Sequence, residues 1–138
     1  MTKAQNPESG IAKQVDGYLT GLLHEDDEAL GQALAACEAN ALPEIQVSAT
    51  QGKLLHLMAR LHGSKRILEI GTLGGYSTIW LARALPPGGR LTTIELDPKH
   101  AEVAAAMVRR APGAGMHRLA DGGSQRLRRL CDCVSQVG

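Results

Sequence analysis

Phenylalanine is absent from this sequence, and one tryptophan and two tyrosines are the only aromatic residues among 138. That scarcity argues against a surface that reads nucleic acid by stacking bases. The core has to be assembled instead from Ala, Leu, Ile, Val and Met, within a hydrophobic fraction of 43%. Cysteine is scarce too. Cys37, Cys131 and Cys133 are too few and too unevenly spaced for a disulfide framework or a four-ligand zinc site, and they read as reduced thiols. No apolar run nears the ~18 residues of a membrane span, and the N-terminus lacks the basic-then-apolar order of a signal peptide. A cytoplasmic protein with no membrane and no nucleic-acid partner is expected.

What is present is enough chain for one domain, burying roughly two thirds of its unfolded surface if it closes a complete core. A net charge of +1 hides a split. Through Val108 there are 9 Lys+Arg against 12 Asp+Glu, a net of −3, and from Arg109 onward 6 Arg against 2 Asp, a net of +4. The later segment also gains Gly and two of the cysteines. Its change of character suggests a truncated or frame-shifted ending.

Hydrophobic spacing organises the remainder. Val15, Tyr18, Leu19, Leu22 and Leu23 recur at helical intervals and predict a docking helix with one apolar stripe. The acidic cluster Glu25, Asp26, Asp27 and Glu28 reads as the start of a second helix rather than a metal site, since negative charge there gains about 0.3 to 1 kcal/mol per residue from the helix dipole. Leu30, Leu34 and Cys37 continue that helix's inward face, and Pro43 ends the segment. Residues 45–48 form an extended entry to a helix over 51–62, with Leu54, Leu55, Met58 and Leu61 inward, His56 and His62 at surface or cap positions, and Gly63 as the stop.

A buried strand over 66–70 then breaks into glycines, and a helix over 76–85 follows with Ile79, Ala82 and Leu85 on one face. A second strand covers 91–96. Asp97 and Pro98 open another helix as N-cap and first-turn proline, its inward face being Ala101, Ala104, Ala105 and Val108. Strand, helix, strand, helix at this spacing predicts a right-handed βαβ unit with parallel strands, hence an α/β fold. A third short strand over 116–120 and a basic helix over 124–130 are weaker signals. The expected organisation is a flexible terminus over 1–14, N-terminal helices over 15–63, a nucleoside-binding βαβα unit over 64–110 and a divergent basic tail over 111–138.

The chemistry lies in Glu69-Ile70-Gly71-Thr72-Leu73-Gly74-Gly75-Tyr76-Ser77, followed by Glu95 at the end of the next strand. In doubly wound sheets ligands bind beyond the carboxyl ends of the strands, where glycines let the backbone approach and a carboxylate after the second strand can grip a ribose diol. The nucleoside can belong to NAD or to S-adenosylmethionine. A dinucleotide fingerprint starting at Gly71 needs glycine at 73 and 76, where this sequence has Leu73 and Tyr76, so NAD is disfavoured. S-adenosylmethionine has no phosphate. Glu69 can face its ammonium group, Gly71 and Thr72 can offer backbone contact, Ser77 can bond its carboxylate, and Glu95 can take the ribose hydroxyls.

With Ile45-Gln46-Val47-Ser48 and Gln51-Gly52-Lys53 upstream and Ile94-Glu95-Leu96-Asp97-Pro98 downstream, these motifs resemble the small cation-dependent O-methyltransferases: caffeoyl-CoA and catechol O-methyltransferases and their bacterial relatives. The resemblance runs from about Val15 to about Val108. It implies a Rossmann-like class I methyltransferase fold and cofactor contacts at Val47, Glu69, Gly71, Thr72, Ser77 and Glu95. It also implies a small-molecule hydroxyl acceptor, a homodimer built partly from the N-terminal helices, and a divalent cation such as Mg²⁺ in the intact relatives.

Nothing after Val108 resembles the family's metal-binding strand, so no metal ligand and no catalytic residue is assigned, and activity of this chain alone is not expected. Asp121 is a poor substitute ligand, and Cys131-Asp132-Cys133 is a weak soft-metal pair. Arg126, Arg128 and Arg129 read as a solvated or disordered tail rather than an RNA patch. Two other readings remain: a non-catalytic cofactor-binding or dimerisation module, and an NAD-binding domain. With only two or three strands, the first would leave an unpaired edge that invites a dimer or an aggregate.

Overall fold

A computed structural model describes residues 7–23, 27–111 and 116–121; for residues 7–9, 23 and 116–121 it describes the backbone alone. The elements run α1 (Pro7–Leu23), α2 (Glu28–Ala39), α3 (Ala49–His62), β1 (Arg66–Ile70), α4 (Tyr76–Ala84), β2 (Arg90–Glu95), α5 (Pro98–Arg110) and β3 (Met116–Asp121). The strands form one parallel sheet in the order β1-β2-β3, with Ile70 level with Ile94 and Glu95 level with Asp121. The expected α/β unit is therefore present, and the weak strand signal after Ala111 is a real third strand. The basic helix expected over 124–130 lies outside the described residues. α1 begins at Pro7, so helix occupies residues 7–14, where a flexible terminus was expected. Proline suits the first helical turn, whose N–H would have no partner in any case.

Local chemistry accounts for the helix ends. Asp27 caps α2 by accepting from the Leu30 N–H at 3.0 Å. Ser48 and Gln51 form a reciprocal capping box at α3, and Gly63 closes that helix in the left-handed region. Asp97 caps α5 ahead of Pro98, as its sequence signature indicates. Asp27 has a second role that the sequence does not announce: it takes a two-pronged ion pair from the Arg83 guanidinium of α4, at 2.5 and 3.2 Å.

The core is made of small residues. Leu30, Ala33, Tyr76, Ile79, Val108 and Ala111 form one buried cluster, and Cys37, Leu42 and Val103 a second. Of the inward face expected for α2, Leu30 and Cys37 are buried, whereas Leu34 is exposed and Ala33 takes its place. α5 buries Ala101, Ala104 and Val108 as expected, with Val103 in place of Ala105. On α4, Ile79 and Ala82 are buried, and Leu85 serves as C-cap.

The larger departures have one cause. In α3 the buried residues are Gly52 and Ala59, while Leu54, Leu57, Met58 and Leu61 are exposed, so three of the four residues expected inward point out. α3 approaches α4 at Gly52, where an added Cβ would lie 2.4 Å from the Trp80 indole. The face of the helix that packs is the one that can come close. His56 is drawn into the same contact, half-buried, with Nδ1 3.0 Å from the Trp80 carbonyl oxygen and its ring edge-on to the indole.

β1 is likewise less buried than its composition implies. Glu69 faces the helices, while Leu68 and Ile70, on the opposite side by the two-residue repeat of a strand, are 44% and 79% exposed. β1 is an edge strand among the described residues, as expected. The apolar stripe of α1 is also uncovered at Val15, Tyr18 and Leu22, so this helix docks lightly, through Asp16, which accepts from the hydroxyls of Ser48 (2.8 Å) and Thr50.

The Asp27 contacts set a pH dependence. The hydrogen bond from Arg83 lowers the carboxyl pKa most, burial opposes it, and the Leu30 N–H adds to the lowering, so the folded value lies below the ordinary 3.8. Stability from this group is therefore complete above pH 3.8 and is lost as the pH falls below it. Asp27→Ala is expected to cost about 1 to 2 kcal/mol at neutral pH, from the lost cap and ion pair. It should also flatten the acid limb of stability, measured by urea unfolding across pH; an unchanged acid limb would contradict the assignment.

Candidate functional site

A cleft of about 690 Å³ opens at the carboxyl ends of β1 and β2. One wall is the loop from Gly71 to Gly74 with Tyr76 and Ser77 of the first turn of α4; a second is the end of β2 with Leu96, Asp97, Pro98 and His100; a third is the α2–α3 connection at Ile45, Gln46 and Val47. Five of the six residues expected at a cofactor site line it: Val47, Gly71, Thr72, Ser77 and Glu95. Glu69 does not. It is buried one hydrogen bond behind the wall, accepting from Ser77 Oγ at 2.7 Å and Thr78 Oγ1 at 2.6 Å.

The glycine loop owes its shape to backbone that few side chains tolerate. Gly71 and Gly75 have φ of +87°, and Leu73 between them has φ of +52°. A left-handed conformation at a non-glycine residue costs about 1 to 2 kcal/mol. It turns consecutive N–H groups to one side, making a concavity for an anion.

That concavity is filled from within the chain. Glu95 Oε2 accepts from the N–H groups of Thr72 (3.0 Å) and Leu73 (2.8 Å), and Oε1 from those of Leu96 (2.7 Å) and Asp97 (3.0 Å). Burial pushes this carboxyl pKa up, but the four N–H donors outweigh burial and hold it below the ordinary value of 4.5. Beneath the loop, the hydroxyls of Thr72 and Thr93 share a hydrogen bond of 2.5 Å.

Gly74 and Gly75 also serve packing. A Cβ on Gly74 would lie 2.0 Å from the Cys37 sulfur, and one on Gly75 would lie 2.9 Å from Val108 Cγ2. Both positions are reserved for the close approach of α2 and α5. Cys37 is the buried residue expected, and burial, outweighing a hydrogen bond from the Gly74 backbone, pushes its thiol pKa up.

Sequence reasoning missed several cleft residues. Leu73, Leu96 and Tyr76 went unassigned, and Asp97 was read only as a helix cap. His100, one helical turn beyond Asp97, has its ring nitrogens 3.9 Å from Glu95 Oε1 and from Asp97 Oδ2. The i, i+3 spacing of Asp97 and His100 immediately after a strand end is the signal that would have found this pair. Asp121 stands level with Glu95 in the sheet register. Arg126, Arg128, Arg129, Cys131, Asp132 and Cys133 lie outside the described residues.

Comparison with known proteins is consistent across sequence and structure. A family profile described as O-methyltransferase matches residues 22–130. A catechol O-methyltransferase of Mycobacterium tuberculosis is 57% identical over 97 residues, covering 70% of this chain and 44% of that protein. The crystal structure of an O-methyltransferase from Bacillus cereus in complex with SAH superposes with a TM-score of 0.80 at 41% identity, covering 86% of this chain and 54% of that one. TomG from Streptomyces achromogenes, an O-methyltransferase of tomaymycin synthesis solved with SAM, gives 0.75 at 52% identity, covering 83% and 51%. The chain spans about half the length of these relatives.

The Glu69 arrangement makes a direct prediction. Thr78→Val removes one of the two hydroxyls that a buried carboxylate accepts from and should cost about 1.5 to 3 kcal/mol, the range for hydrogen bonds to charged groups. Urea unfolding at neutral pH measures it, and a loss below about 0.5 kcal/mol, the noise expected for surface substitutions, would mean that Glu69 is solvated in solution.

Proposed function

This chain belongs to the O-methyltransferase family, and on that premise we propose that its cleft binds S-adenosylmethionine and serves methyl transfer to a phenolic or similar hydroxyl of a small molecule. The observation that carries the reading is the joining of the Glu95 carboxylate to the Gly71–Gly75 loop at the carboxyl ends of two parallel strands, the place where such sheets hold nucleosides. The cleft is of the size that takes a small ligand.

In this reading Glu95 holds the ribose hydroxyls, sharing or displacing amides that already occupy its lone pairs. Gly71 and Thr72 offer backbone, Ser77 meets the methionine end, and Val47 closes the wall opposite. Glu69 acts through Ser77, fixing that hydroxyl's direction, and comes within reach of an ammonium group only if Ser77 releases it. When bound, the cofactor supplies a methyl group on a positively charged sulfur. A phenol with a pKa near ~10 is a weak nucleophile at neutral pH, so the contribution of these residues is position: they hold the cofactor where an acceptor oxygen can meet the methyl group in line.

The resemblance implies a divalent cation for the family; among the described residues no group of three or more His, Cys, Asp or Glu side chains converges to hold one. No described helix is long and apolar enough to cross a membrane. The scarcity of cysteine fits a cytoplasmic setting.

Calorimetric titration of the chain with S-adenosylmethionine tests the reading. Binding is expected, with Glu95→Ala weaker by about tenfold or more and no heat from NAD. A folded chain that ignores S-adenosylmethionine would end the proposal, while binding without methyl transfer to a catechol would leave a cofactor-binding module.

Self-association belongs to the same proposal. The exposed apolar residues of α1, of α3 and of the β1 edge offer surface to a second copy. Sedimentation equilibrium should return the mass of a dimer, and a monomer at all loading concentrations would remove that part of the proposal.

A further inference from the structure

We propose that residues 43–46 form a strap that gates the cleft: the strap moves into a second cavity on its α2 side to let a ligand in or out, and a ligand in the cleft holds it closed. The inference rests on the cofactor reading above for its ligand, S-adenosylhomocysteine, the cofactor without its methyl group. Three observations carry it.

The strap is anchored at its ends and untethered between them. Leu42 is buried with Cys37 and Val103, and its N–H donates to the Cys37 carbonyl at 2.9 Å. Val47 packs against the larger buried cluster, and Ser48 caps α3. Residues 43–46 are all exposed, and among the described residues their one hydrogen bond is local, from the Ile45 N–H to the Pro43 carbonyl at 2.9 Å. Exposed backbone with no bond to another element opens at little cost. Ala41, at the turn out of α2, has φ of +50°, so the approach to the strap is itself strained.

Space lies on both sides. The cleft of about 690 Å³ is on one, walled by Ile45, Gln46 and Val47. On the other, a cavity of about 520 Å³ runs between the strap and Leu34, Ala35 and Glu38 of α2. Cys37 and Gln46 line both, so the strap and the Cys37 thiol form the partition. A close-packed interior gives a segment no second position. Here there is one.

The ligand acts on the strap through Ile45, 75% exposed on the cleft wall. A ligand seated against the glycine loop covers that apolar side chain only when the strap is in, and the state that gains contact with a ligand gains population.

Ala35 is exposed and outside the cleft, so Ala35→Trp and Ala35→Met fill the second cavity without touching the core or the ligand. Binding of S-adenosylhomocysteine to the full chain is followed by surface plasmon resonance. In Ala35→Trp, association and dissociation should both slow by about tenfold or more while Kd stays within about threefold, with Ala35→Met between. Unchanged rates, or a change in Kd carried by dissociation alone, would overturn the proposal.

A second arm needs no ligand. With Cys131→Ser and Cys133→Ser in place, the buried Cys37 is the one thiol left, and its reaction with a water-soluble aromatic disulfide reports opening of the strap. Pro43→Gly loosens the strap and should speed that reaction by about two- to fivefold, with a urea dependence much shallower than that of global unfolding. A rate that Pro43→Gly leaves unchanged, or one that climbs with urea as steeply as unfolding does, would overturn the proposal. Failure of the cofactor reading shows separately, as absence of S-adenosylhomocysteine binding, and leaves the thiol arm to decide.

Discussion

Four backbone amides converge on the Glu95 carboxylate, and the upper end of this fold depends on that convergence. It ties the end of β2 to the loop after β1 and to the start of α5, alongside the Thr72–Thr93 hydroxyl contact and the bond from the Gly71 N–H to the Ile94 carbonyl. Removing a carboxylate from water is expensive, and only charge-assisted bonds of this kind make it tolerable. The strained backbone at Leu73 is held in place by the same bonds.

A second constraint comes from the shortage of aromatics. A core of Ala, Val, Ile and Leu fills space well only if its elements come close together, and closeness is supplied at Gly52, Gly74 and Gly75. Gly52 admits the Trp80 indole, Gly74 admits the Cys37 sulfur, and Gly75 admits Val108. The glycine-rich run is thus two devices that overlap at Gly75: Gly71 and Gly75 supply the left-handed backbone of the turn, and Gly74 and Gly75 admit the neighbouring helices. A single glycine fingerprint read as ligand chemistry conflates them.

The exposed apolar residues have a common geometry. α4 and α5 both pack on β2, and Glu69 of β1 faces α4, which leaves Leu68 and Ile70, on the other side of β1, exposed, although Ile94 beside Ile70 is buried. Leu54, Met58 and Leu61 of α3 add to the uncovered surface. The matched segments cover only about half of each relative's length.

The sequence by itself determined the elements and their order. Helical and two-residue periodicities, the cap at Asp97, the stop at Gly63 and the strand ends at Ile70 and Glu95 are local properties, written in neighbouring residues and needing no tertiary partner. The place of the site was legible for a related reason: in parallel sheets ligands gather at the carboxyl ends of strands, so strand ends followed by glycine or by a carboxylate point there. Only the tertiary structure decided which face of α3 packs, that Asp27 would meet Arg83 across 56 positions of sequence, that Glu69 would turn to the hydroxyls of Ser77 and Thr78, and that Glu95 would spend its lone pairs on the loop. Those outcomes depend on distances between elements, and periodicity within an element carries no information about the closeness of another.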